Sequence, residues 1–291
     1  MFTGSITALI TPFQDGNIDE KAFQSFVNWQ IEEGSHALVP CGTTGESPTL
    51  THEEHKRVVE LCLDVAKGRV PVIAGSGSNS TAEAIELTNH ASRAGADAAL
   101  VVTPYYNKPS QEGLVAHFIA IADATDIPII IYNIPPRSVI DMTVDTMTIL
   151  ANHSNIVGVK DATGDLARPL STRIEIGREF CLLSGDDATT VAFLAQGGFG
   201  CISVTANVAP GLCAMLHDAW RESRYDDVWR IRDIIHPLNQ ALFCEPSPAP
   251  AKFACSLLGK CLPDTRLPLS PISPKAMTNV QEAMLHAELL D

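Results

Sequence analysis

The sequence predicts an α/β protein, a (β/α)8 TIM barrel with a C-terminal helical extension. Three observations carry that expectation: eight short apolar runs, longer segments of helical period between them, and an all-helical pattern after the last run. The runs are "SITALIT" from Ser5, "HALVPC" from His36, "VPVIAG" from Val70, "ALVVT" from Ala99, "PIIIYN" from Pro128, "NIVGVK" from Asn155, "CLLSG" from Cys181 and "CISVT" from Cys201. Near-continuous apolar runs suit parallel strands covered on both faces. A doubly wound open sheet is the competing fold, but no G-x-G-x-x-G follows the first run.

The helices follow in order. Ala22, Phe23, Phe26, Val27, Gln30 and Ile31 mark one helical face, which "EEG" closes. Thr51 with Glu54 and Ser80 with Glu83 read as capping boxes, and "AKG" and "RAG" as the matching stops. After Thr205, "APGLCAMLHDAWRESRYDDVWRIRDIIHPLNQALF" reads as helix broken near Arg224. "CEPSPAP" joins two helices, and "LPDTRLPLSPISP" is an ordered loop before a last helix from about Lys275. The expected division is a catalytic barrel over 1–223 and a helical extension over 224–291.

Composition narrows the function. With 291 residues and a net charge of −14, the chain lacks the clustered Lys and Arg that hold a phosphate backbone or an anionic membrane, so nucleic acid and membrane are not expected partners. No apolar run reaches the ~20 residues of a membrane span, and no basic region precedes the apolar N-terminal stretch, so a cytoplasmic location is expected. The eight cysteines are scattered without C-x-x-C spacing and read as small core hydrophobes of a reducing compartment. "HEEH" spaces His52 and His55 at i,i+3 and not at the i,i+4 of a zinc-binding helix; it reads as an exposed first helical turn, and no metal is expected.

Of the eight lysines, Lys21, Lys56, Lys67, Lys252, Lys260 and Lys275 fall on helices or their ends, where solvated charge is routine, and Lys108 lies in a loop. Lys160 alone ends a strand. Strand alternation places Lys160 and Gly158 on one face and Val157 and Val159 on the other; the branched pair belongs against the outer helices, which points Lys160 into the barrel. Gly158 is expected to leave room beneath it. A neutral amine in a partly desolvated place is the nucleophile that forms a Schiff base with a carbonyl substrate, whereas a lysine reaching water or paired with Asp161 is structural.

Other run ends add chemistry. "CGTTGES", Cys41 to Ser47, offers hydroxyls and backbone N–H groups suited to a carboxylate, or only a tight turn. "YNIPPR" sets the phenol of Tyr132 beside Arg137, a proton carrier and a carboxylate fork, or a plug and a surface charge. "TPYYNKPS" places two tyrosines in a loop, for chemistry or for interface packing; "GGFG" reads as a turn.

Taken together, "GTTGES", "VTPYYNKPSQEGL", "GVKDATG", "LLSGDD" and "CISVTANV" resemble the dihydrodipicolinate synthase family of pyruvate-dependent Schiff-base aldolases, over essentially the whole chain. The resemblance implies condensation of pyruvate with L-aspartate 4-semialdehyde in the diaminopimelate route to lysine, with no cofactor. It implies that Lys160 forms the imine, that Tyr132 is the acid and base, and that Thr43 links it to Tyr106 from an adjoining subunit. Thr44 with Thr43 would hold the pyruvate carboxylate, Gly185 and Ile202 would line the pocket, and Arg137 would bind the acceptor carboxylate. Ser47, His52, His55, Asn79, Glu83 and Tyr105 match the family's inhibitory L-lysine site, and a homotetramer built as a dimer of dimers is expected. Where the family has a small residue and then R-T-G, this chain has Pro136, Arg137, Ser138 and Val139. Sialic acid lyases and sugar-acid aldolases share the lysine and tyrosine and are the alternative activities; a barrel that binds a 2-oxo acid without turnover is the non-enzymatic one.

Overall fold

Alternating apolar runs and helices demand that every strand be covered on both faces. The computed structural model, which describes residues 1–290, has ten strands, of which eight meet that demand. These are β1 (Gly4–Ala8), β2 (Phe13–Gln14), β3 (Asn17–Ile18), β4 (Ala37–Val39), β5 (Ile73–Gly75), β6 (Ala98–Val102), β7 (Ile129–Asn133), β8 (Ile156–Asp161), β9 (Cys181–Ser184) and β10 (Gly200–Ser203). Eight of them form one sheet in the order β4-β1-β10-β9-β8-β7-β6-β5, the neighbour order of a (β/α)8 barrel, with helices between successive strands.

The chain divides into two compact units. The first, residues 1–3 and 71–202, holds β5 to β9 and most of β10. Its strands pair in parallel register, for example Val102 with Tyr132, Tyr132 with Lys160 and Lys160 with Leu183. Ile129, Ile130, Ile131, Leu183 and Val101 are fully buried in it.

The second unit, residues 4–70 and 203–291, pairs β1 with β4 and carries the C-terminal helices Pro210–Arg221, Tyr225–Ala241, Ala249–Leu257 and Pro274–His286. The break near Arg224 and the start of the last helix fall where the sequence places them. Its interior also contains polar groups. Gln30, on the buried face of helix Glu20–Glu32, accepts from Thr7 Oγ1 at 2.8 Å and donates to the Ala206 carbonyl at 2.9 Å. Asn207 is fully buried; its amide donates to the carbonyls of Ala8 and Val204, and its carbonyl accepts from the Ile10 N–H.

Three details differ from expectation. The β2–β3 hairpin is an addition, made by Asp15 and Gly16 at φ 51° and 79°, the Asp-Gly pairing that two-residue hairpin turns favour. The Thr51–Glu54 capping box is complete, but at Ser80 only half of one forms: Ser80 caps the Glu83 N–H, while the Glu83 carboxylate accepts from Ser78. The first turn of helix His52–Ala66 is exposed at His52 but not at His55, which is buried.

Replacing Asn207 by Ala strands the Ile10 N–H and the Ala8 carbonyl. Urea unfolding is expected to show a loss of about 2–4 kcal/mol. A second expectation concerns pH. Burial, and then the charge of His36, hold His217 down to about 3 from its ordinary 6.5, partly opposed by Asp218. The unfolded chain therefore takes up this proton first, so stability falls as pH drops below about 6.5, by up to about 1.4 kcal/mol per pH unit until the folded pKa is reached. His217→Gln removes that share of the slope in unfolding curves recorded between pH 7 and 5.

Candidate active site

β8 ends in Lys160, and its parallel neighbours put Tyr132 and Leu183 level with it. Lys160 and Tyr132 are each 6% exposed, and the lysine Nζ lies 4.1 Å from the centre of the tyrosine ring. The room for the lysine comes from Gly185. A Cβ there would stand 3.1 Å from Lys160 Cε and 2.7 Å from Ala162 Cβ. Gly158 does not supply it as expected. A Cβ at that position would meet the Cys181 carbonyl oxygen at 2.3 Å, and the β7–β8 register slips just before it, so this glycine serves a bulge and the close approach of β9. Ile202, on β10, is buried.

Behind the Lys160–Tyr132 pair, on the following residue of each strand, Asn133 stands level with Asp161. Burial pushes the Asp161 carboxyl up, against hydrogen bonds from Thr163 and the charge of Arg168, whose Nε is 3.6 Å away. Arg168 also pairs with Asp141 at 2.8 Å, Asp141 accepts from Asn133, and Asn133 accepts from the Met142 N–H. This clasp pins residues 141–142, and so closes the far end of the loop that carries Arg137. Sequence reasoning missed it, although two polar residues directly following the reactive pair were a visible signal.

Arg137 is exposed, in the short helix Pro135–Ser138. Val139 ends that helix at φ 69°, a left-handed conformation that a β-branched side chain adopts only at a cost. The bulk after Arg137 thus introduces backbone strain as well as volume.

In the other unit, Thr43 and Thr44 occupy the turn of Cys41 to Ser47, with Thr44 buried. Cys41 and Glu46 both have φ 56°, and Glu46 is buried in an ion pair with Lys252 at 2.6 Å. Lys252 is therefore not a solvated helix lysine as expected. Glu46, the one charged residue of "GTTGES", was legible as an oddity in a small-residue loop, but its partner was not.

Asn79, Glu83 and Tyr105 lie together: the Asn79 amide donates to the Tyr105 carbonyl at 3.2 Å, and burial, then the charge of Glu83, pushes the Tyr105 phenol up. Tyr106, at φ 71°, is 89% exposed. Ser47 begins a single 3-10 turn, His52 is exposed, and the buried His55 accepts on its carbonyl from Cys41 Sγ at 3.4 Å. No helix among the described residues is long and apolar enough to cross a membrane.

A buried strand-end lysine beside a tyrosine on a (β/α)8 barrel defines the class of lyases that act through a lysine Schiff base. The chain belongs to the dihydrodipicolinate synthetase family, whose model matches residues 1–287. It is 66% identical, over the full length of both chains, to the 4-hydroxy-tetrahydrodipicolinate synthase of Rhodospirillum centenum. Among solved structures it is similar to the chloride-inhibited dihydrodipicolinate synthase of Acinetobacter baumannii complexed with pyruvate, with a TM-score of 0.97, 42% identity and all of both chains covered. It is also similar to the enzyme from Cyanidioschyzon merolae with lysine bound, with a TM-score of 0.96, 41% identity and 99% of each chain covered.

Val139→Gly relieves the left-handed valine. Although glycine adds freedom to the unfolded chain, the net expected effect is a gain of about 1 kcal/mol in urea unfolding.

Proposed function

We propose that this chain condenses pyruvate, bound as a Schiff base on Lys160, with L-aspartate 4-semialdehyde, the reaction of a 4-hydroxy-tetrahydrodipicolinate synthase. The observation that carries the reading is the buried Lys160 Nζ set 4.1 Å from the Tyr132 ring, in a chain 66% identical to a synthase of that name. The lysine nitrogen attacks C2 of pyruvate, Tyr132 protonates the departing oxygen, and water leaves to give the imine. Loss of a methyl proton yields the enamine, whose carbon attacks the aldehyde. The acceptor's own amine then closes the ring onto C2 and expels Lys160. The imine is the electron sink, so the reaction calls for no further cofactor.

Thr43 and Thr44 are assigned to the pyruvate carboxylate, Gly185 and Ile202 to the pocket wall, and Arg137 to the acceptor carboxylate, for which a guanidinium fork is suited. Thr43 and Tyr106 complete the proton relay, Tyr106 from a neighbouring subunit of a homotetramer built as a dimer of dimers. Its exposed ring suits that role. L-Lysine is the proposed feedback inhibitor, with Glu83 facing its ammonium, Asn79 and Tyr105 its carboxylate, and Ser47, His52 and His55 completing the site. The enzyme works in the cytoplasm on small soluble substrates.

A coupled assay tests this: pyruvate and L-aspartate 4-semialdehyde are supplied with dihydrodipicolinate reductase, and nicotinamide oxidation is followed. Turnover is expected in the parent protein and none in Lys160→Ala. Tyr132→Phe should lose about 10²–10⁴-fold in kcat, the usual worth of a positioned acid and base. A parent protein without turnover on this pair would overturn the assignment.

A further inference from the structure

The turn from Cys41 to Ser47 does not hold its shape by local preference. Two of its residues, Cys41 and Glu46, take left-handed backbone conformations that residues other than glycine keep only when their surroundings enforce them. Its internal bonds are short-range: Gly45 N–H to the Gly42 carbonyl at 3.0 Å and Glu46 N–H to the Thr43 carbonyl at 3.1 Å. The enforcement comes from outside. Thr11 Oγ1 donates to the Gly45 carbonyl at 2.7 Å, Cys41 Sγ donates to the His55 carbonyl, and two donors from the C-terminal segment meet the Glu46 side chain.

Each carboxylate oxygen of Glu46 has its own donor from the C-terminal segment. Oε1 accepts from Lys252 Nζ at 2.6 Å and Oε2 from the Arg266 backbone N–H at 3.0 Å. Both charged side chains of the ion pair are fully buried. Lys252 Nζ is further satisfied by the Asp264 carbonyl at 2.6 Å and lies 4.0 Å over the Phe13 ring. The Arg266 guanidinium then grips the chain just past the turn, donating to the Thr49 carbonyl at 2.9 Å and to both oxygens of Glu54. A buried ion pair is seldom worth more to stability than an apolar pair of the same volume, so its use here is geometric: it fixes one conformation.

We propose that Glu46 is the positioning residue of the Thr43–Thr44 turn and that Lys252 and Arg266 hold it in place, so that the C-terminal segment sets the affinity for the carboxylate of the 2-oxo acid substrate. This rests on the assignment of Thr43 and Thr44 to that carboxylate. Glu46 itself touches no reacting atom; it acts through the backbone it anchors, two residues from Thr44 and three from Thr43.

The test compares Glu46→Gln, which keeps the shape, with the double variant Glu46→Leu/Lys252→Met, which removes both charges together and strands neither. In steady-state assays the double variant is expected to raise the KM for pyruvate by about 10- to 100-fold, the scale of a sub-ångström to one-ångström misplacement, with a much smaller change in the KM for the aldehyde; because Thr43 also belongs to the proposed proton relay, kcat is expected to fall as well. Glu46→Gln should fall between it and the parent. Circular dichroism and melting curves establish that each variant is folded, and if the double variant is not, Glu46→Gln decides alone. A folded variant whose pyruvate KM stays within about twofold of the parent, or whose two KM values rise together, overturns the proposal. Parent protein that does not turn over pyruvate would count against the functional assignment and not against the anchoring of the turn.

Discussion

Desolvation of a lysine at the end of a strand is the constraint on which the rest of this structure depends. An amine in a protein interior is tolerated only with a partner, and the choice of partner decides what the amine can do. The chain contains both solutions. Lys252 is buried against Glu46 at 2.6 Å and against the Asp264 carbonyl, an arrangement that commits two of its three N–H donors. Lys160 is nearly as buried, yet among the described residues it forms no salt bridge; it faces the ring of Tyr132. A nitrogen committed to a carboxylate cannot attack a carbonyl carbon, and Lys160 carries no such commitment.

The barrel topology makes this placement possible. Parallel strands bring successive strand ends level, so Tyr132 and Lys160 meet without any loop having to position them. The next residue on each strand, Asn133 and Asp161, serves a different purpose. Through Asp141 and Arg168 that pair ties down the loop after β7, so one strand end presents the reactive pair while the adjacent positions secure the surrounding backbone. Each unit carries backbone strain in a loop. Val139 and Glu46 both hold left-handed conformations, one at the end of the Arg137 helix and the other beside Thr43 and Thr44.

Much of the fold was legible because its signals are local. Eight apolar runs, the Thr51–Glu54 box and the helical period of Phe23, Phe26 and Val27 each need only a few neighbouring residues to read. Lys160 and Tyr132 were legible for the same reason, as the polar ends of apolar strands. What escaped depends on residues far apart in the chain. Glu46 and Lys252 are 206 positions apart, so neither charge announced the other, and Lys252 read as an ordinary helix lysine. Gly158 read as space for the lysine because its alternation with Lys160 was visible, whereas the approach of Cys181 and the slipped register were not. Gly185 was expected from the family resemblance to line the pocket, but its close approach to Lys160 Cε shows only once β8 and β9 are side by side.

The most direct measurement is to reduce the protein with borohydride in the presence of pyruvate alone, then locate the added carboxyethyl group by peptide mass mapping. The account predicts a single modification, on the peptide containing Lys160, with Lys252 unmodified. Modification elsewhere, or none at saturating pyruvate, would contradict the claim that the unpaired buried lysine is the one that reacts.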